Sequence, residues 1–369
     1  ARVPYDPLIS ILQVRIDATA QHSAGSINGA TAYSGAVRSD TYLAYGYLAG
    51  LTFGWSANYS VGTQIRKSLF PRLNPSMERS MNMTPIQPRK VVFDVACVPR
   101  HWNGGDPVLT RFFDALSVHF PEGERFFIQS VRNFQDRVTD QRLRDDIRHF
   151  IRQEGQHGIV HDSFNQVMAG QGVDVDKTTA NLRRFIRTTQ KYLPQKYQLA
   201  MTAAFEHFTA TLGEAMLKEE TDMFRDSDPV MRALFLWHGV EEVEHKAVAY
   251  DLYQTAAGGG YVTRVSALIV GTLMIHLVVA PVFWNMLKLD GVTRQPGVML
   301  RGLNRLYGRR GILVRMMPEF LDWFRPGFHP WDTGMPEKVA SWLDEYSRHG
   351  DPMQASAAVY GAERLGEAA

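Results

Sequence analysis

The sequence predicts an all-α protein, a four-helix bundle with extra C-terminal helices and a poorly structured N-terminal extension. Three observations carry that expectation. Helical periodicity and helix-boundary residues dominate from about residue 121 onward. From Lys90 onward the only extended-looking run is a short one, Val91 to Val95. The composition also breaks near residue 77: Glu78 is the first glutamate, and Lys67 is the only lysine before it. With 45% hydrophobic and 21% charged residues over 369 positions, the chain is ordinary for a folded protein, which excludes global disorder and a polytopic membrane class.

Residues 1–80 are expected to be an extension without a fold of its own, rich in Gly, Ser, Tyr, Ala and Thr. Alternation at Thr41–Tyr47 and Thr52–Tyr59 hints at strands within it. The expected domain covers 90–350. After Val91–Val95 comes a loop to Asp106, and Pro121 with Glu122 and Glu124 is read as a helix start, because Pro suits the first turn and acids suit the positive end. Leu143–Met168 reads as a helix ending at Gly170-Gln171-Gly172. Further helices are expected over Asn181–Tyr192, Gln195–Glu220 and Asp228–Ala257, the last stopped by three glycines at 258–260. Helices also fit 261–288, 297–308, 312–324 and 336–347.

Two Glu-x-x-His pairs lie on different long helices: Glu154 with His157, and Glu242 with His245. Residues three apart on a helix share a face, so each pair can reach a common point. Each is preceded by a helix offering one more inward glutamate, Glu124 and Glu206. Glu122 and Glu214 are their rivals; Glu124 and Glu206 are preferred for their apolar frames. The order Glu, Glu-x-x-His, Glu, Glu-x-x-His is the ligand arithmetic of a carboxylate-bridged di-metal site in a four-helix bundle. Four carboxylates neutralise two divalent ions, and an oxygen-rich shell with imidazoles suits iron or manganese. His238 precedes Glu242 by four residues and His161 follows His157 by four, so both share these faces. His207 lies about 100° round the helix from Glu206.

The segments FPEGERFF (120–127), FIRQEGQHGIVHDSFN (150–165), AFEHFTATLGEAML (204–217) and WHGVEEVEHKAVAYDLY (237–253) resemble a ferritin-like bacterial family labelled predicted metal-dependent hydrolases, over residues 90–350. The spacing of His238, Glu242 and His245 is also similar to that of the di-iron arylamine N-oxygenases. Carried over residue by residue, that resemblance implies seven ligands: Glu124, Glu154, His157, Glu206, His238, Glu242 and His245. His161 has no counterpart there and is expected to orient a ligand from behind.

Val265–Trp284 is a 20-residue run without a formal charge, long enough to cross a bilayer core of about 30 Å. Basic residues from Lys288 to Arg315 follow it, opposed only by Asp290. Three placements are open: a buried helix or homodimer seam, an interfacial or re-entrant helix, and a true span. The expected compartment is cytoplasmic, in keeping with a single cysteine, Cys97, and with no signal-peptide pattern at the start. That lone cysteine excludes a disulfide framework and cysteine-based zinc or iron–sulfur sites. The net charge of +2 gives no support to a nucleic-acid partner.

The leading functional expectation is a di-iron oxygenase or oxidase acting on an apolar small molecule, with electrons from a partner protein. The alternative is a metal-dependent hydrolase activating water at the same site, with manganese or zinc as other metals, zinc alone sitting on Glu154, His157 and His161. A metal store or scaffold without turnover is the third expectation.

Overall fold

The computed structural model describes residues 85–218 and 223–366, and within them the protein is all-α. The expected N-terminal extension and its two strand-like stretches lie outside the described residues. Residues 85–95 are extended without ladder partners, and Val91, Phe93 and Val95 are buried while Val92 and Asp94 face out.

Helix α1 spans Pro107–Arg132. Its start is set by Asp106, whose carboxylate accepts from Val108 N and Leu109 N at 2.9 and 3.1 Å, with Pro107 in the first turn. Pro121 therefore does not open a helix, as the sequence suggested; it lies inside α1. A proline there removes the N–H that would bond the carbonyl of Ser117. Asn165 Nδ2 donates to that oxygen at 3.1 Å, so the interruption is satisfied from the neighbouring helix.

Helix α2, Gln141–Gly170, is capped by Asp140 on Leu143 N at 2.7 Å. It packs antiparallel on α1. Helix α3, Val175–Tyr192, starts earlier than its periodicity suggested because Asp174 caps Lys177 N. Helix α4, Gln195–Leu217, and helix α5, Pro229–His245, form the second pair of the bundle. Asp228 caps α5 through Val230 N and Met231 N. A Cβ on Gly213 would lie 2.5 Å from Gly239 O, so these glycines let the α4 and α5 backbones touch and bring their inward side chains close.

The expected continuous helix 228–257 is broken. After His245 the chain turns and resumes as α6, Val248–Thr255. Buried Lys246 sits in the break, its Nζ donating to Glu214 Oε1 at 2.9 Å and to Gly334 O at 3.0 Å.

Helix α7, Tyr261–Leu289, lies across α1 and α4. Ala267, Leu268, Gly271, Val279, Met286 and Leu287 are buried on its inner face, and the opposite face is open, so it is not the fully buried helix that was one of the expectations. Shorter helices follow: α8 Pro296–Tyr307, α9 Ile312–Arg315, α10 Met317–Leu321, α11 Glu337–His349 and α12 Pro352–Gly366. The expected helix 312–324 is thus two short helices and a final 3₁₀ turn, Asp322–Phe324. Trp323, Trp331 and Trp342 are fully buried and tie these pieces to the bundle.

Candidate metal centre

The inner faces of α1, α2, α4 and α5 each present acid to the bundle axis. Glu124 comes from α1, Glu154 with His157 from α2, Glu206 from α4, and His238, Glu242 and His245 from α5. Every one of these seven side chains is buried. Three of their ligand-atom sets converge: Glu154, His157 and Glu242; Glu124, His157 and His238; and Glu154, Glu206 and His245. His245 Nε2 lies 3.2 Å from Glu154 Oε1, 3.3 Å from Glu206 Oε2 and 3.4 Å from Glu242 Oε2. His157 Nδ1 lies 3.6 Å from Glu242 Oε1 and 3.9 Å from Glu154 Oε1. Glu154 and Glu242 thus face both halves of the cluster.

Two rival glutamates are elsewhere. Glu122 pairs with Arg125 and with Arg183, the latter at 2.7 Å. Glu214 receives Lys246. His207 donates toward neither half: its Nε2 is 3.0 Å from Phe320 O and its ring stacks on Trp323, and burial pushes its pKa down to about 4.

The electrostatics of the cluster are severe without a cation. Burial, and then the charges of the other carboxylates, push Glu124, Glu154 and Glu206 well above the ordinary carboxylate range. Burial alone would raise Glu242 as well, yet His245 and His238 beside it hold it well below. Burial also drives His157 and His161 well below the ordinary imidazole value. Both oxygens of Glu124, Glu154 and Glu206 lack hydrogen-bond partners, as do His157 Nδ1 and both ring nitrogens of His245. Orphaned buried acceptors of this number are costly unless a metal fills the space between them.

Behind the cluster run two hydrogen-bonded supports. On one side His157 Nε2 is 3.1 Å from Glu241 Oε2. Glu241 accepts from Arg89 Nη1 at 2.9 Å, and the same guanidinium grips Glu244 at 2.5 and 2.9 Å. Gln153 Nε2 donates to Glu244 at 3.0 Å. A carboxylate on the far nitrogen leaves His157 Nδ1 as the lone pair aimed at Glu242 and Glu154.

On the other side the directions can be followed atom by atom. Ser117 Oγ donates to Asn165 Oδ1 at 2.9 Å, so His161 Nδ1 must donate to Ser117 Oγ, 2.8 Å away. A neutral His161 then accepts at Nε2, and His238 Nδ1, 2.6 Å off, is the donor. His238 Nε2 faces Glu242 Oε1 at 2.9 Å, so it is the nitrogen of His238 that a cation shared with Glu242 would meet. His161 thus stands behind His238, 2.6 Å from its Nδ1.

Arg89, Glu241, Glu244, Ser117 and Asn165 were not anticipated. Glu241 and Glu244 had a visible signal, since they repeat the three-residue spacing within Glu-Glu-Val-Glu-His. Arg89 had none, lying 152 residues from Glu241 in the chain.

An apolar cavity of about 130 Å³ abuts the centre. Glu124 and Thr209 line it on the metal side, and Phe120, Phe205, Phe208, Met274 and Val278 are among its walls. Thr209 Oγ1 also donates to Glu242 Oε2, so one hydroxyl touches both cavity and cluster.

A family model described as "predicted metal-dependent hydrolase" matches residues 87–334, and the chain belongs to that family. Nothing among curated proteins or solved structures matches it.

Proposed function

We propose that this member of the predicted metal-dependent hydrolase family is a two-metal enzyme that hydrolyses a small molecule with an apolar body. The observation that carries the metal reading is the set of buried, unpartnered atoms on Glu124, Glu154, Glu206, His157 and His245. In this reading Glu154, His157 and Glu242, with Glu124 and His238 close by, would hold one ion, and Glu154, Glu206 and His245 would hold the other. Bound divalent ions would supply Lewis acidity and lower the pKa of water to generate a nucleophile at neutral pH.

The chain's own part is positional. Phe120, Phe205 and Phe208 take the apolar body and exclude bulk water. Thr209 fixes the oxygen of Glu242 that faces His245. Glu241 and His161 hold His157 and His238 in single tautomers. The hydrolytic reading rests on the family description; the apolar walls support an acyl or aryl substrate.

A second reading has one observation in its favour. Four carboxylates with three imidazoles beside an apolar cavity also suit two irons that reduce O₂, with electrons from a partner protein. The deciding experiment uses the full chain purified without oxygen. Its metal is quantified, and it is then assayed with p-nitrophenyl butyrate and, after reduction, for O₂ uptake. Metal-dependent ester cleavage lost in Glu154→Ala supports hydrolysis. Two irons with O₂ uptake and no cleavage would overturn it in favour of the oxidase.

A further inference from the structure

Helix α7 carries an outer face that the bundle leaves uncovered. Val262, Ile269, Leu273, Leu277 and Trp284 recur at helical spacing on it, with Val262, Leu273 and Leu277 exposed by 78%, 58% and 64%. His276, Ala280 and Pro281 fill the gaps between them, so no charged side chain interrupts the face from Val265 to Trp284. At about 1.5 Å per residue the stretch from Val262 to Trp284 is about 33 Å long. An apolar strip of that length is larger than folded proteins ordinarily leave to water.

The surroundings of the strip say what covers it. From Pro296 to Phe324 the chain runs back along the bundle from the C-terminal end of α7 to its N-terminal end. There Trp323 Nε1 donates to Arg264 O at 3.1 Å and Tyr261 Oη donates to Phe324 O at 2.6 Å. This return segment adds exposed Leu300, Tyr307, Val314 and Leu321. It also adds exposed Arg301, Arg309 and Arg310, which follow exposed Lys288 and Arg294 in the chain. The one acid between Lys288 and Arg315 is Asp290, and its carboxylate is taken by Arg100, His101 and Arg111. Apolar residues with tyrosine and tryptophan at their margins, flanked by uncompensated arginine, match the chemistry of an anionic lipid headgroup layer over acyl chains.

We propose that α7 and its return segment dock the protein on an anionic bilayer surface, with α7 lying in the plane of the interface. A perpendicular span is disfavoured by packing. The inner face of α7 is pinned along its length, Gly271 against Phe205 of α4 and Phe283 against Phe112 of α1 at 6.3 Å. Crossing the bilayer would carry those helices and their buried charges with it. Docking in the plane leaves the bundle in water. It also sets the apolar cavity, walled by Met274, Ile275 and Val278, on the far side of the same helix from the lipid.

The test is co-sedimentation of the full chain with vesicles of phosphatidylcholine alone or mixed with phosphatidylglycerol. The protein should pellet with the anionic vesicles and be released by high salt. Leu273→Glu with Leu277→Glu, both exposed and so compatible with folding, should weaken binding about tenfold or more. Arg301→Glu, Arg309→Glu and Arg310→Glu together should abolish the preference for the anionic vesicles. Trp284 should be quenched by bromines near the glycerol backbone, read as the difference from Trp284→Phe. Absence of vesicle binding in the wild type, or unchanged binding in the glutamate pair, overturns the proposal. A wild-type dimer that the glutamate pair converts to monomer, with no vesicle binding by either, assigns the face to a second copy of the chain instead. None of these readouts depends on the metal or on catalysis.

Discussion

His161 Nε2 lies 2.6 Å from His238 Nδ1, and the contact sets which nitrogen of His238 faces the carboxylates. The two imidazoles therefore have different duties. His238→Ala removes a donor atom from one half of the cluster. His161→Ala removes the group that holds His238 in place and leaves His238 itself. With Mn(II) or Fe(II) added, His161→Ala should retain the wild-type stoichiometry while losing affinity by about 10- to 100-fold. His238→Ala should change the ligand field, visible in the electron paramagnetic resonance of the manganese form. An unaltered affinity in His161→Ala would show that the contact does not position His238.

Glu154 faces both halves of the cluster, and His245 meets three carboxylates. Either residue changed to Ala should cost at least one metal equivalent per chain by elemental analysis. The apo forms separate the causes. Glu154→Ala removes a buried carboxylate from a repelling set, so without metal it should melt no lower than the wild type, whereas with metal it should melt lower. Full metal content in both variants would remove the basis for a two-metal centre.

Arg89 is the counter-charge of Glu241 and Glu244, both inside the protein. Removing one partner of such a set leaves the others charged and unpaired, at a cost of about 3–5 kcal/mol. Arg89→Ala should therefore lower the unfolding free energy by that order in urea titrations, and Arg89→Lys should recover only part of it, since one ammonium cannot serve both carboxylates bidentately. A change below about 1 kcal/mol would place the triad among surface-type ion pairs.

Asp290 is surrounded by Arg100, His101 and Arg111. Burial opposes its ionisation, but hydrogen bonds from these three groups prevail and bring its pKa down from 3.8 to about 2. Its folded pKa lies below its unfolded one, so its stabilisation is complete above pH 3.8 and is lost as pH falls toward 2. The melting-temperature gap between wild type and Asp290→Asn should be widest above about pH 4 and close as the solution is acidified, as calorimetry can follow. A gap independent of pH would mean that the substitution disturbs packing and that the charge of Asp290 contributes nothing.

Much of the bundle was legible because its signals are local. The Asp228-Pro229 pair marks a helix start through a side-chain cap, and the two Glu-x-x-His pairs point at one axis because helical geometry puts residues three apart on one face. Three kinds of feature were not legible. Pro121 carried a local start signal that the longer helix overrode, since Asp106 and Pro107 supply a better one. Arg89 joins Glu241 only through tertiary packing. Glu124 and Glu206 could be preferred over Glu122 and Glu214 by their apolar frames, but what separates them physically is the cations Arg125, Arg183 and Lys246 that neutralise the rivals. Helix α12 had a readable start in Asp351-Pro352, with Asp351 capping Met353 N at 2.7 Å, and was passed over because its small residues show little periodicity.

The proline inside α1 links the hydrogen bonding of one helix to the tuning of a distant nitrogen. Because Pro121 leaves Ser117 O open, Asn165 is drawn to it, and Asn165 is also the acceptor that turns the Ser117 hydroxyl away from His161. Replacing Pro121 with alanine would improve helix propensity and return an intrahelical donor to that carbonyl. The same gain would set a second donor against Asn165 at that oxygen, and where Asn165 gives way the hydroxyl proton can swing toward His161 and the His161–His238 pair can exchange tautomers. A mutation that looks favourable for the helix would thus loosen the chemistry, and positions 121 and 165 should tolerate change only as a pair.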